Sequence, residues 1–231
     1  MIHARTQRQF GEETYQKLIN HTIMIVGLGG VGGYVAESLA RFGIKHLILV
    51  DHDTVEASNI NRQIVALHST IGNLKVDVLK KRITDINPEI EITVYPVFYN
   101  ADTKTKLFEH KIDFIVDAID TITYKIDLAK ECLNRDIGHI AVMGTGDKLG
   151  PENLNIMPLY KTQTDPIARV MRRKLKTHPG YKTLQTVCSF EQPSAINKEG
   201  RTPTSNAFVP ASAGLMASSY VTRYLLEKIK R

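Results

Sequence analysis

The sequence predicts an α/β fold built on a doubly wound, mostly parallel sheet. Short apolar runs alternate along the chain with segments of helical periodicity, and the runs are apolar throughout, as strands covered on both faces of a sheet must be. A glycine-rich turn at 27–32 joins the first run to the first of the longer helices. We therefore expect a Rossmann-like nucleotide-binding half, followed by a C-terminal lid and helical extension.

Each predicted element has its own signal. The helix over 29–42 carries apolar residues at helical spacing and stops at Gly43, and the helix over 72–86 is closed by Asn87 and Pro88. Asp165 and Pro166 supply an N-cap and a first-turn proline for a later helix. The predicted strands cover 22–26, 47–50, 91–97, 114–116, 140–143 and 186–190. The predicted helices cover 6–20, 29–42, 72–86, 103–110, 122–134, 167–176 and 210–230.

The length of 231 residues suits one core. We expect a single domain, in which 1–150 form the nucleotide-binding core and 151–231 supply a substrate-binding lid and the C-terminal helix. The stretch 179–205, rich in Pro, Gly, Ser, Thr and charge, is the loop or lid candidate. No run reaches the roughly 20 apolar residues of a membrane span, and the N-terminus lacks the apolar core of a signal peptide, so we expect a cytoplasmic protein.

Charge and cysteine content limit the function classes further. The 30 basic and 24 acidic side chains leave a net charge of +6, which is compatible with a polyanionic partner but common among soluble proteins. The two cysteines, Cys132 and Cys188, are too far apart to form a Cys-x-x-Cys pair, which excludes a four-cysteine zinc site. We therefore expect no zinc.

The glycine-rich turn is the strongest local motif. Gly27, Gly29, Gly30 and Gly32 lie between a strand and a helix, where they allow a tight turn and let a nucleotide approach the helix N-terminus. Tight packing of that helix is the alternative explanation. Asp51 ends the next strand, where a carboxylate can bind a ribose diol. At this point a nicotinamide dehydrogenase and an ATP-dependent enzyme fit equally well.

Three charged residues further along favour ATP. Arg62 and Lys75 follow the second strand, and a triphosphate needs such cations when its α-phosphate is attacked. Asp120 lies at the carboxyl end of another strand, where a Mg²⁺ ligand is expected. Taken singly, the two cations could be solvated surface charges and Asp120 a helix cap. The ordered set favours a magnesium-dependent ATP site.

An ordered series of motifs makes the chain resemble the ubiquitin-activating-enzyme-like adenylating superfamily, of the ThiF, MoeB and HesA type. These motifs are 27–32, 51–53 (Asp-His-Asp), 59–63 (Asn-Ile-Asn-Arg-Gln), Lys75, 86–88 (Ile-Asn-Pro) and 117–120 (Asp-Ala-Ile-Asp). The resemblance implies that Asp51 binds the ribose, that Asn59, Arg62 and Lys75 contact phosphates, and that Asp120 serves magnesium and catalysis. It also implies a homodimer in which Arg8, or as second choice Arg5, reaches the ATP of the neighbouring subunit.

The predicted site residues follow from these motifs and this resemblance. The catalytic set is Arg8, Arg62, Lys75 and Asp120. The cofactor-binding set is Gly27, Gly29, Gly30, Gly32, Asp51, Asp53, Asn59, Asn61, Arg62, Lys75 and Asp120, with ATP and Mg²⁺ as the expected ligands and Asp120 as the metal ligand.

The C-terminal third resembles the tRNA threonylcarbamoyladenosine dehydratases, through 143–149, Lys161-Thr162, 165–169 and 187–191. That resemblance implies ATP-dependent cyclisation of a threonylcarbamoyl group on tRNA through an acyl-adenylate. It also makes a basic helix the candidate tRNA contact, although a solvated helix face would have the same composition. The candidate RNA-binding residues are Lys161, Arg169, Arg172, Arg173, Lys174 and Lys176.

Other functions remain open at this point. An adenylyltransferase acting on the C-terminal Gly-Gly of a ubiquitin-like sulfur carrier is the main alternative, and the missing zinc cysteines oppose it. A nicotinamide-dependent oxidoreductase and a non-catalytic nucleotide-binding module explain the phosphate-binding set less well. Cys188 could be a nucleophile, as in relatives that form thioesters, whereas Cys132 lies in a predicted amphipathic helix and is expected in the core.

Overall fold

The computed structural model describes residues 2–192 and 203–230. Their strands form one seven-stranded sheet. The strands are β1 (Thr22–Val26), β2 (His46–Val50), β3 (Glu91–Tyr95), β4 (Phe114–Asp117), β5 (Gly138–Val142), β6 (Leu154–Pro158) and β7 (Gln185–Ser189). The α-helices are α1 (Ala4–Phe10), α2 (Glu12–Ile19), α3 (Gly32–Phe42), α4 (Lys75–Ile86), α5 (Ala101–Leu107), α6 (Ile122–Arg135), α7 (Pro166–Leu175) and α8 (Phe208–Ile229).

The order of the strands places a crevice beside β1. The sheet runs β3-β2-β1-β4-β5-β7-β6, and every neighbouring pair is parallel except β6 with β7. The chain moves outward from β1 to β3 and then returns to continue on the other side of β1 with β4. Ligands bind open α/β sheets at such a reversal, beyond the carboxyl ends of the strands. The doubly wound, mostly parallel sheet predicted from the sequence is confirmed.

Helices cover both faces of the sheet. The side chains of α3, α4 and α8 pack on one face with Leu47, Phe114 and Ile140, whereas α5 and α6 contribute to a second cluster on the other face. Gly214 of α8 lies so close to α3 that a Cβ atom there would be 2.5 Å from the carbonyl oxygen of Val31. The small residues of the last helix therefore allow close packing.

Three differences from the predicted elements have local causes. Gly11, with φ +79°, divides the first predicted helix into α1 and α2. The helix predicted over 72–86 begins only at Lys75, because Leu74 forms an antiparallel bridge with Thr54. The strand β6 was not predicted. It alternates irregularly between buried and exposed residues and ends in Pro158, which an edge strand tolerates.

The candidate lid is only partly described. Within 179–205, the predicted strand is confirmed as β7, and 203–205 lie outside helices and strands. Residues 193–202 lie outside the described part, so the lid stays a prediction. Among the described residues, no helix is long and apolar enough to cross a membrane.

The predicted N-cap of α7 is confirmed and has a second function. Asp165 Oδ1 accepts a hydrogen bond from the backbone N–H of Ala168 at 2.8 Å, which caps the helix. Asp165 Oδ2 accepts from the backbone N–H of Gly144 at 3.1 Å, in the loop that follows β5. The buried carboxylate therefore joins α7 to the edge of the sheet at which the crevice opens.

Replacement of Asp165 should separate these two functions. Asp165→Ala loses the cap and leaves the N–H of Gly144 without its acceptor, so we expect about 2–4 kcal/mol less stability. Asp165→Asn keeps the cap but offers an amide nitrogen in place of one oxygen, so the loss should be smaller. The measurement is the free energy of urea unfolding, and equal losses for the two variants would contradict this division.

Candidate nucleotide-binding site

A cleft of about 340 Å³ opens at the carboxyl ends of β1, β2 and β4. It brings together the glycine turn after β1, the segment after β2 and the loop after β4. Its lining also includes side chains that are distant in sequence. The lining residues are Val26, Gly27, Gly29, Gly30, Val31, Val50, Asp51, His52, Asp53, Asn59, Arg62, Gln63, Lys75, Val97, Phe98, Tyr99, Ala118, Ile119, Asp120, Thr145, Ser205 and Pro210.

The glycine turn is shaped by close backbone contacts. Gly27 has φ +88°, and a Cβ atom there would lie 2.6 Å from the carbonyl oxygen of Ala118. A Cβ atom at Gly32 would lie 1.8 Å from the carbonyl oxygen of Gly27. Gly29 and Gly30 line the cleft, whereas Gly32 does not and instead lets α3 begin against the turn. The turn and the helix N-terminus can thus receive an anionic group.

Asp51 is held in place by backbone donors. Its Oδ2 accepts from the N–H of Leu28 at 2.6 Å, and its Oδ1 accepts from the N–H of Asp53 at 2.8 Å. The side chain is buried but lines the cleft. A carboxylate has about four lone-pair sites, so both oxygens can still accept from a ribose hydroxyl. Its orientation does not depend on a ligand.

Lys75 presents a nearly buried cation to the cleft. Its residue exposure is 5%, and its Nζ contacts Asp53 Oδ2 at 2.7 Å. Asp53 is half exposed and also lies 3.2 Å from the Nε2 of His52. A phosphate in the cleft can share the ammonium group with Asp53, because an ammonium has three donors. Asp53 therefore orients Lys75.

Asn59 and Arg62 line the cleft, but Asn61 does not. Asn59 is buried and its Oδ1 accepts from the N–H of Glu56 at 3.1 Å. Arg62 Nη1 donates to Asn61 Oδ1 at 2.9 Å. Asn61 Nδ2 in turn donates to the carbonyl oxygen of Ser205 at 3.1 Å. The side chain of Asn61 thus links Arg62 to the C-terminal segment, and its predicted contact with the nucleotide stays a prediction.

Asp120, the predicted magnesium ligand, is a single exposed carboxylate in the cleft. Asp120 is exposed, lines the cleft and accepts from Thr121 Oγ1 at 3.2 Å. It is not part of a cluster of three metal-ligating side chains in the described ranges, where only Asp51, His52 and Asp53 lie close enough together. The ammonium group of Lys75 beside Asp53 would compete with a cation there. A single carboxylate fits Mg²⁺ that is held mainly by nucleotide phosphates and water.

The comparison with known families decides the relationship. A family model described as "ThiF family" matches residues 3–228. The chain belongs to the ThiF family.

Relatives and solved structures narrow the comparison within the ThiF family. A tRNA threonylcarbamoyladenosine dehydratase of Bacillus subtilis (strain 168) is 42% identical to this chain, over all of the chain and 97% of the relative. The crystal structure of the E. coli tRNA N6-threonylcarbamoyladenosine dehydratase TcdA in complex with ATP superposes with a TM-score of 0.92 and 31% identity, over 99% of this chain and 95% of that chain. A complex of the same E. coli enzyme with AMP also has a TM-score of 0.92. The adenylyltransferase and sulfurtransferase UBA4 of Saccharomyces cerevisiae (strain YJM789) is 32% identical, over 63% of this chain and 33% of UBA4.

A buried ion pair next to the loop of Asp120 was not predicted from the sequence. Asp117 and Lys125 are completely buried, and the Nζ of Lys125 contacts Asp117 Oδ1 at 2.8 Å. The same Nζ donates to the carbonyl oxygens of Asp117 at 3.2 Å and Ile119 at 3.0 Å. Burial tends to raise the pKa of the Asp117 carboxyl, but the cation of Lys125 and the nearby His139 hold it below its ordinary value. These contacts of Lys125 therefore hold the loop that ends at Asp120 in position.

Arg8 lies away from the cleft of its own chain. It is exposed on the short helix α1 and is absent from the cleft lining. Arg5 is exposed on the same helix. Within one chain, the structure thus does not bring either arginine to the other predicted catalytic residues.

Cys188 and Cys132 are both core residues. Cys188 lies on β7 among Met143, Leu159 and Met171, and burial raises the pKa of its thiol to about 12. A thiol with that pKa is almost entirely protonated at neutral pH and is a poor nucleophile. Cys132 is buried in a different cluster, as expected. The hypothesis that Cys188 is a nucleophile is therefore disfavoured on physical grounds.

The basic helix α7 presents most of its cations to solvent. Its buried face is Ala168, Met171 and Leu175. Arg172 differs from the others because it is half-buried and its Nη1 donates to the carbonyl oxygen of Thr162 at 2.6 Å. The exposed candidates for RNA contact are Lys161, Arg169, Arg173, Lys174 and Lys176.

Two residues of the cleft had no usable signal in the sequence. Thr145 and Ser205 line the cleft although they lie far from the glycine turn in sequence, and isolated Thr or Ser residues carry no pattern. Lys125 did have a signal. A lysine on the buried face of an amphipathic helix, eight residues after an Asp that ends a strand, requires a buried counter-ion.

The buried pair should be costly to break from one side only. Lys125→Met leaves the Asp117 carboxylate buried without its counter-ion, so we expect a loss of about 3–5 kcal/mol in the free energy of unfolding. The double variant Asp117→Asn, Lys125→Met removes both charges and should recover most of that loss. Urea unfolding of the two variants measures the difference. A double variant as unstable as Lys125→Met would contradict the ion-pair explanation.

Proposed function

We propose that this ThiF-family chain is an ATP-dependent tRNA threonylcarbamoyladenosine dehydratase. The observation that carries this proposal is the match over the full chain to proteins with that name, at 42% identity to the B. subtilis relative. The E. coli enzyme, whose fold this chain shares over 99% of its length, has been solved with ATP and with AMP. The cleft described above has the glycine turn and the cations that such a nucleotide requires.

The chemistry begins at the free carboxylate of the threonylcarbamoyl group. A carboxylate oxygen attacks the α-phosphorus of ATP, the bond from that phosphorus to the bridging oxygen breaks, and pyrophosphate leaves. An atom of the same substituent then attacks the acyl carbon, loses its proton and expels AMP with the former carboxylate oxygen. The net change in the nucleoside is loss of one water. Because the second step is intramolecular, its barrier can be lower by roughly 7–11 kcal/mol than that of a bimolecular reaction.

The side chains of the cleft support distinct roles in this reaction. Asp51 is oriented to bind the ribose, and Asn59, Arg62 and Lys75 to bind phosphate oxygens. We assign Asp53 and Asn61 to orienting Lys75 and Arg62, because those are the contacts they make. Asp120 is the proposed Mg²⁺ ligand, together with the phosphates. This cation would neutralise charge that develops on the leaving pyrophosphate.

We further propose the division of the chain into a nucleotide-binding core over 1–150 and a substrate-binding part over 151–231. Ser205 and Pro210 bring the second part to the cleft. The basic helix α7 lies in the same part and supports tRNA binding through its exposed cations. A cytoplasmic location fits an enzyme that acts on tRNA.

A sulfur-carrier adenylyltransferase is the second candidate. The specific observation in its favour is the 32% identity to UBA4, but this covers 63% of the chain and 33% of UBA4. The two cysteines are buried in separate clusters, so they cannot form the zinc site that such enzymes usually carry. The match to the dehydratase of B. subtilis also covers the C-terminal third of this chain.

The reaction itself is the test of the proposed function. With ATP, Mg²⁺ and tRNA carrying threonylcarbamoyladenosine, the nucleoside recovered after digestion should lose the mass of one water. Asp120→Ala should lower turnover by at least about 10²-fold with a nearly unchanged melting temperature, since Asp120 is exposed and its carboxylate loses only one exposed hydrogen bond, from Thr121. Unchanged tRNA, combined with adenylation of a carrier protein ending in Gly-Gly, would favour the second candidate.

The homodimer with shared sites remains a proposal that mixing can test. If Arg8 acts on the ATP of the partner subunit, Arg8→Ala and Asp120→Ala should each be inactive alone. A mixed dimer would have one site with both residues intact, so an equal mixture should recover about a quarter of the wild-type rate. A matched mixture of Lys75→Ala with Asp120→Ala should recover none if Arg8 alone crosses the interface, because both of those residues belong to the same cleft. No recovery in the Arg8 mixture would exclude the shared site.

A further inference from the structure

We propose that an open groove beside β6 binds unpaired nucleotides of the tRNA by stacking them on Tyr160 and Phe190. This inference rests on the function proposed above and names the surface that receives the substrate. The N6 atom that carries the threonylcarbamoyl group is the base-pairing donor of adenosine, so an enzyme reaches this group most easily on an unpaired nucleotide. The flanking nucleotides are then available for stacking as well.

The groove has about 570 Å³ of space and presents two aromatic rings to solvent. Tyr160 is 43% exposed and Phe190 45% exposed, and both line the groove. The Nζ of Lys161 lies 5.9 Å from the centre of the Tyr160 ring. Exposed aromatic rings beside cations are typical of surfaces that bind single-stranded nucleic acid, because every base has a face that can stack. The groove is lined by Asn155, Ile156, Met157, Tyr160, Lys161, Thr162, Gln163 and Phe190.

The groove is connected with the nucleotide cleft. Phe190 directly follows β7, which is parallel to β5, so it lies at the same edge of the sheet as the cleft. The next residue, Glu191, accepts through Oε1 from the N–H of Leu149 at 2.8 Å. Asp147, two residues before Leu149, accepts through Oδ1 from the backbone N–H of Thr204. The next residue, Ser205, lines the cleft. One continuous set of contacts therefore runs from the aromatic groove to the proposed ATP site.

Charge identifies the occupant as a polyanion. Residues 159–183 contain seven Lys and Arg side chains but only Asp165 as an acid, and this segment therefore carries a surplus equal to the net charge of +6 of the whole chain. Asp165 is buried and caps α7, so it does not offset the surface cations. Arg172 joins α7 to the groove through Thr162, which is itself part of the groove lining.

The two aromatic rings of the groove and the exposed basic side of α7 suit different parts of an RNA loop. The rings suit base faces, whereas Arg169 and Arg173, one turn apart on the exposed side of α7, suit phosphates. A protein partner would need a larger apolar area than these two rings offer. RNA is therefore the occupant to which the groove is assigned.

Two groups of variants test the assignment on the full-length enzyme. Tyr160→Ala and Phe190→Ala should each raise the Kd and KM for modified tRNA roughly 5- to 150-fold, the usual range for the loss of one stacked base. The KM for ATP and the dependence of tRNA affinity on salt should not change. Arg173→Glu, by contrast, should weaken tRNA binding and reduce the salt dependence, because it removes a phosphate contact.

Controls and a direct signal make the outcome decisive. Phe190→Tyr keeps a ring and should keep the wild-type KM for tRNA, and Leu215→Ala removes an exposed apolar side chain of α8 outside the groove. A 2-aminopurine base next to the modified adenosine should be quenched by wild-type enzyme and less by Phe190→Ala. If wild-type enzyme dehydrates the tRNA but both alanine variants bind and convert it within twofold of wild type, the stacking surface is wrong and the proposed function stands. If wild-type enzyme does not dehydrate the tRNA, the proposed function fails and this inference fails with it.

Discussion

The close approach of the turn after β1 to the loop after β4 determines the rest of the site. At Gly27 the space that a Cβ atom would need is taken by the backbone of Ala118, and at Gly32 by the backbone of Gly27 itself. Only glycine satisfies both contacts, since Gly27 also has φ +88°. This contact brings Asp120 to the same cleft as Asp51 and Lys75.

The charged residues of the cleft are positioned before any ligand binds. Backbone N–H groups hold both oxygens of Asp51, Asp53 holds Lys75, and the buried Asp117–Lys125 pair supports the loop that ends at Asp120. Such prior orientation reduces the reorganisation that a reaction at phosphorus requires. The Asp117–Lys125 pair is completely buried, unlike Asp120, whose loop it supports. Substitutions in the supporting layer therefore affect folding, whereas Asp120 itself is exposed.

The C-terminal third is integrated with the nucleotide-binding core. Strands β6 and β7 extend the same sheet, α8 packs closely on α3, and Ser205 and Pro210 reach the cleft. The nucleotide cleft and the proposed tRNA surface thus lie on one continuous sheet.

The sequence by itself determined the doubly wound, mostly parallel sheet, the glycine turn and the identity of most charged residues at the cleft, because these depend on local patterns of apolar residues, glycines and strand ends. It also determined the N-cap of α7, which is a local contact. Only the tertiary structure decided that Asn61 contacts Arg62, that Lys125 neutralises Asp117 and that β6 is an antiparallel edge strand of the sheet. Those features depend on contacts between segments far apart in sequence, and a side chain carries no mark of a distant partner until the chain has folded.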